Sequence, residues 1–151
     1  VDVQAGGSSR GIADVRAGVA DIGMVSRELK DHERALFVFP VAMDGISIIV
    51  HKSNPIVVLT EGQIVAIYTG KVRNWKEVGG EDAPITVVNK TAGRGTLELF
   101  LNHFGLKSVD IRPHVVVGDN EQGVKTVAGN KDAIGYVSIG TAEHYAARGV
   151  L

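Results

Sequence analysis

The sequence has no cysteine, only four prolines, and aromatic residues at just 5% of its 151 positions. Without cysteine there is no disulfide, no Cys-ligated zinc and no thiol nucleophile. Zero cysteine leaves the compartment open, because a secreted chain need not use disulfides. An excess of charge is missing too: 16 Lys+Arg against 17 Asp+Glu leave a net charge of -1. No basic surplus exists to neutralise a run of phosphates, which argues against nucleic acid as a partner. A small anion needs only one or two local charges and stays compatible. No apolar run approaches the ~18 residues of a membrane span, and no basic stretch followed by an apolar one marks a signal peptide.

What is present is a globular composition, 44% hydrophobic and 22% charged, with enough chain for one domain or two small lobes and a sizeable core. Glycine is in excess, 19 of 151 residues, against a usual ~7%. The glycines are dispersed at turns and so mark many short element junctions.

Val1–Ala5 reads as a strand, so the chain opens inside an element, as a processed or truncated piece would. Ser8 or Ser9 is placed to cap a short helix carrying Ile12, Val15 and Val19. Residues 21–25 fit a buried strand. Residues 37–43 and 46–50 read as two extended segments joined at Asp44-Gly45, the best candidate for a crossing between lobes. Thr60-Glu61-Gly62-Gln63 is a capping box, and Gly70 closes the helix it opens. Strands are expected at 85–88, 115–117 and 133–137. Leu97, Phe100, Leu101 and Phe104 form a helical stripe ended by Gly105. Asp119 or Asn120 caps a further helix, and Thr141 a final one ending near Gly149. Trp75 reads as a packing anchor beneath a loop. Strands that are continuous apolar runs alternating with helices predict an α/β fold with the sheet covered on both faces.

Three junctions carry small hydroxyl residues, two of them together with glycine: 6–11, 25–27 and 90–96. At a helix N-terminus, backbone N–H groups lack internal partners and the macrodipole adds about half a positive charge. Glycine lets a ligand approach that backbone, and Ser/Thr hydroxyls add donors, which makes an anion cradle without metal. Singly, each junction reads as a cap and turn, and Arg10, Arg27 and Arg94 as solvated surface residues. The 93–95 loop fits neither the Walker A nor the dinucleotide pattern. His32, His51, His103, His114 and His144 lack zinc spacing. Asp31/Glu33 and Glu81/Asp82 read as solvated turns. No nucleophile elbow is present, and no metal or cofactor is called for.

At these residues the sequence resembles the phosphate-binding proteins of bacterial ABC importers, within the periplasmic solute-binding superfamily. Gly7-Ser8-Ser9-Arg10-Gly11 and Ala20–Arg27 are similar to two of that family's segments. Ile67–Trp75 is similar to its I-Y-x-G-K-I-x-x-W segment, Lys90–Phe100 to its phosphate loop and helix, and Ala133–Val137 to its closing strand. The resemblance spans nearly the whole chain. It implies a two-lobe α/β fold with an incomplete first lobe in 1–45 and a largely present second lobe in 46–151, including the crossing strand. It implies that Ser8, Ser9, Ser26, Arg94, Gly95, Thr96 and Lys90 bind phosphate or a related oxyanion in the cleft, that an ABC permease receives it, and that the protein works in the periplasm or another extracytoplasmic space. Ser26 stands where some members have Asp, Arg94 replaces the usual Ser, and Lys90 stands where the classical members have Arg. A Ser at 26 carries no charge to repel a fully ionised oxyanion, which weakens discrimination of phosphate from sulfate. An incomplete first lobe is expected to expose a sheet edge or an apolar face, which a second copy of the chain could cover. The alternative is a ligand-binding sensor domain of the same fold; an enzyme acting on phosphate esters lacks the metal cluster or activated nucleophile it would need.

Overall fold

A computed structural model describes residues 1–151. Four strands form one sheet in the order β1-β4-β2-β3: β1 is Ile46–Val50, β2 Thr86–Lys90, β3 Val115–Val117 and β4 Ala133–Ser138. β4 and β3 run parallel to β2, whereas β1 runs antiparallel to β4 with Ile46 opposite Ser138 and Val50 opposite Ile134. Five helices accompany them: α1 (Ser8–Arg16), α2 (Glu61–Tyr68), α3 (Gly95–Phe104), α4 (Asn120–Ala128) and α5 (Ile139–Ala146).

Both faces of the sheet are covered, as continuous apolar strands require. On one face Val87, Ile134 and Tyr136 pack with Ile67 and Tyr68 of α2 and Leu97 and Phe100 of α3. Val88, Val117, Ala133 and Val137 face the other way, onto Val124 and Val127 of α4. Each of these large side chains contributes about 1.5–3 kcal/mol by leaving water. Tyr136 and Phe100 stack with ring centroids 4.4 Å apart, and the Tyr136 hydroxyl donates to Asn89 Oδ1 at 2.7 Å. Trp75 is the expected anchor: it is buried, and its indole Nε1 donates to the Asp132 carbonyl at 3.0 Å.

The predicted strands at 85–88, 115–117, 133–137 and 46–50 are present; the first runs 86–90, two residues past its expected end, and the others are displaced by a residue at most. Those at 1–5, 21–25 and 37–43 are not; none of these segments pairs in a sheet. A strand needs a neighbour to share its backbone hydrogen bonds, and the sheet here begins at Ile46. Instead, 23–24 lies against α1 through two glycines, a Cβ added at Gly23 falling 2.5 Å from the Gly11 carbonyl oxygen. Ile22, Met24, Phe37, Val38, Phe39, Val41 and Met43 are exposed, and residues 1–45 contain no strand that could present a sheet edge. At the other end, α5 starts at Ile139 after Ser138, not at a Thr141 cap, and Thr141 instead bonds the Ser138 hydroxyl at 2.8 Å.

Candidate functional site

Helix starts divide into two kinds. Thr60 caps α2 by accepting from the Gln63 amide, and Asp119 caps α4 by accepting from the Gln122 amide. No side chain caps α1, α3 or α5. The first residue outside α1 is Gly7 at φ 83°, so neither Ser8 nor Ser9 is the cap that the sequence suggests. Ser8 is the first helical residue, and its buried hydroxyl turns outward from α1 to the 26–27 turn. It accepts from the Ser26 amide at 3.1 Å and lies 3.3 Å from the Ser26 hydroxyl.

The start of α3 meets the same point. A Cβ added to buried Gly95 would fall 2.2 Å from Ser26 Oγ and 2.7 Å from Ser8 Oγ. Only hydrogen fits there, which is why glycine stands first in the helix. The amides of Gly95 and Thr96 have no acceptor within the chain, since Leu97 and Glu98 take the Arg94 carbonyl. Two uncapped helix starts therefore converge, each with orphan donors and the positive end of a dipole. Gly7 and Gly93 let the two turns touch: the Ser9 amide lies 3.4 Å from the Gly93 carbonyl, and a Cβ on Gly7 would come within 3.1 Å of Arg94 Cδ. Ser9 itself is exposed beside Gly93.

Lys90 and Arg94 add charge. Lys90, at the end of β2, is buried, and its ammonium donates to the Asp119 carbonyl. Burial, with the nearby Arg94 guanidinium, lowers its pKa to about 8 against the partial support of Asp119. The Arg94 guanidinium lies over Gly118, 3.6 Å from where a Cβ would stand. Neither cation forms an ion pair. The structure thus brings Ser8, Ser26 and Gly95 to one point, with Thr96 next along α3, sets Ser9 at its edge, and holds Lys90 and Arg94 together by the 118–119 turn. The groups meet as a contact between segments. The two grooves elsewhere on the surface, one by Trp75 and one by Arg112, share no residue with them.

Arg27 differs from the solvated residue that the sequence suggests. Its side chain is 3% exposed and forks onto Glu33, at 2.7 and 3.0 Å. Glu33 in turn is buried rather than part of a solvated turn. The fork of Arg27, with the Lys30 amide, holds its carboxylate down at about 2. Arg27 Nε lies 2.6 Å from Glu98 Oε2 on α3, off the line of a hydrogen bond, so this contact is one of charge. A lone arginine and two glutamates far apart in sequence carry no readable spacing. The bonds among Asn120, Ser138 and Thr141, from 2.8 to 3.4 Å, were likewise invisible beforehand.

The sequence matches the PBP superfamily domain over residues 1–149. The chain belongs to this family. Phosphate-binding protein PstS of Bacillus subtilis is 30% identical, the match covering 91% of this chain and 47% of that protein. Its namesake in Pseudomonas aeruginosa is 32% identical, over 93% and 50%. Among solved structures, one described as a phosphate ABC transporter substrate-binding protein from Clostridium perfringens with bound phosphate superposes with a TM-score of 0.85 at 44% identity, over 88% of this chain and 56% of that one. An ABC-type phosphate transport receptor from Vibrio cholerae gives 0.72 at 41% identity, over 93% and 60%. The chain spans about half the length of the curated relatives that it matches. As a superfamily member it has the α/β architecture expected from its strands and helices.

Proposed function

We propose that this chain captures inorganic phosphate, or a tetrahedral oxyanion of the same size, between the start of α1 and the start of α3. The observation that carries the reading is the convergence of two uncapped helix starts, two serine hydroxyls and two cations without ion pairs. An oxyanion stripped of water loses many hydrogen bonds and needs donors from several directions. Ser8 and Ser26 supply hydroxyls, with Ser9 beside them. Gly95 and Thr96 supply amides, Thr96 adds a hydroxyl, and Lys90 and Arg94 supply charge. Nothing in this set is an activated nucleophile, so the anion is bound and released unchanged.

The names of the relatives support the same reading and extend it. Residues 1–45 contribute to a first lobe and 46–151 make up a second lobe with the crossing strand. The captured anion is passed to an ABC-type permease, outside the cytoplasmic membrane. Calorimetry of the chain with phosphate, arsenate and sulfate tests the core of this. Phosphate is expected to bind at one site, and Thr96→Val to weaken it by about 1–3 kcal/mol through an unpaired oxygen in a dry site. No binding heat for any of the three anions would overturn the reading.

A further inference from the structure

Arg27 is an arginine beside the proposed anion site that does not serve the anion. Its guanidinium is shared between two carboxylates, one from each side of the site. Glu33 belongs to the same 26–34 turn and receives Nη1 and Nη2. Glu98 belongs to the first turn of α3, only a few residues beyond Gly95 and Thr96, and sits 2.6 Å from Nε. Lys30 Nζ reaches Glu98 as well, at 3.5 Å, while Lys30 donates its amide to Glu33 at 2.8 Å. Two cations and two anions thus balance locally. Arg27 is nearly dry, and Glu33 and Glu98 are largely so.

Placement gives this cluster a purpose. Ser26 directly precedes Arg27, so whatever fixes Arg27 against α3 also fixes the Ser26 amide and hydroxyl against Ser8 and Gly95. A guanidinium can do this where an ammonium cannot, because its planar fork grips Glu33 with two bonds and leaves Nε for Glu98. Glu98 receives both Arg27 Nε and Lys30 Nζ from that turn, so it is the carboxylate through which the fork is tied to α3.

We propose that Arg27 and Glu98 form an ion clamp that positions the Ser26 turn on α3 and so holds the two halves of the anion site together. This rests on the phosphate reading above for its purpose, though not for its existence. Clamp and anion then stabilise the same arrangement: each strengthens the other by the same factor.

The test uses the full chain and inorganic phosphate. Glu98→Gln keeps the size of the side chain and leaves Arg27 paired with Glu33, while Lys30, half exposed, exchanges its carboxylate for water, so no buried charge is stranded. It is expected to raise the phosphate Kd about tenfold, within the usual range of such couplings. The loss should appear as faster dissociation and not as slower association, because the cations remain and one carboxylate fewer faces the incoming anion. Arg27→Lys should act in the same direction and add little to Glu98→Gln. A second measurement needs no ligand. The chain has no cysteine, so spin labels at Ala13→Cys on α1 and Asn102→Cys on α3, both exposed, report the separation directly. Glu98→Gln should lengthen and broaden that distance, and phosphate should restore it. Wild type that binds phosphate, together with a Glu98→Gln protein of equal Kd and equal label distance, would overturn the clamp. Wild type that binds no phosphate overturns the functional reading instead, and the distances still decide the clamp.

Discussion

Adding one methyl group at Gly95 is the sharpest perturbation of the site. In Gly95→Ala the new carbon falls 2.2 Å from Ser26 Oγ, 2.7 Å from Ser8 Oγ and 3.0 Å from the Ser26 carbonyl oxygen. The serine hydroxyls can turn, but each has only one torsion to use, and the carbonyl belongs to the backbone. The 26–27 turn must therefore move off α3. Overpacking of this kind costs about 1–3 kcal/mol. Here the cost falls on the contact that would hold the anion, so the phosphate Kd should rise by about 5- to 150-fold.

The control is the same substitution elsewhere. Gly62, inside α2, has nothing within 4 Å of an added Cβ. Gly62→Ala should stabilise the fold by about 0.5–1 kcal/mol through helix propensity and leave binding untouched. Calorimetry gives the two affinities and urea unfolding the two stabilities. If Gly95→Ala binds phosphate as tightly as Gly62→Ala does, Ser26 and the α3 start are not jointly engaged with the anion, and the convergence argued above is wrong.

On the proposed reading, Lys90 should make phosphate binding pH-dependent. With its pKa near 8, a site that needs the ammonium should lose about tenfold in affinity between about pH 7 and about pH 9. Lys90→Arg, which stays charged throughout, should lose less, and the ratio of the two proteins cancels the titration of phosphate itself; equal slopes would remove Lys90 from the site. Because the folded pKa lies below the ordinary 10.5, the unfolded chain holds this proton to higher pH, so Lys90 should add stability as pH rises from about 8 toward 10.5. Ser26→Asp should depress sulfate affinity at least about tenfold relative to phosphate, since a carboxylate accepts from a protonated oxyanion and repels one without a proton. An unchanged ratio in competition calorimetry would refute that role. Trp75→Phe loses the bond to the Asp132 carbonyl and part of a buried ring, and should cost about 2 kcal/mol in urea unfolding followed by circular dichroism; a loss below the error of the method would mean that the indole is not an anchor.

The part of the fold from β1 to β4 was legible because its signals are local. The Thr60 box, the left-handed Gly105 that ends α3 and the Asp119 cap each depend on a few neighbouring residues. The apolar runs at 21–25 and 37–43 look the same in sequence as those of β2 and β4. What differs is the partner strand, and an apolar run cannot announce its partner. The site divides likewise. Ser8, Ser26, Gly95 and Thr96 stand in junctions that their glycine and hydroxyl content marks as places for an anion, and the family resemblance is what assigns each of them a role there. Arg27, Glu33 and Glu98 cannot be found that way, since the feature that matters is burial beside one another.

Three cations around the site, Arg27, Lys90 and Arg94, are held in two different ways. Arg27 is almost dry and fully matched by carboxylates, whereas Lys90 is just as dry and meets only a carbonyl, with Arg94 close enough to disfavour its charge. A chain of net charge -1 has acids to spare, so pairing was available and is used at one place and withheld at the next. Leaving two cations uncompensated beside orphan helix amides costs free energy in the empty protein. A guest that brings negative charge and many acceptor oxygens relieves that cost on arrival, while the balanced Arg27 cluster gains nothing from it. On the reading proposed above, the first arrangement would receive the anion and the second would belong to the frame that holds the receptor in shape.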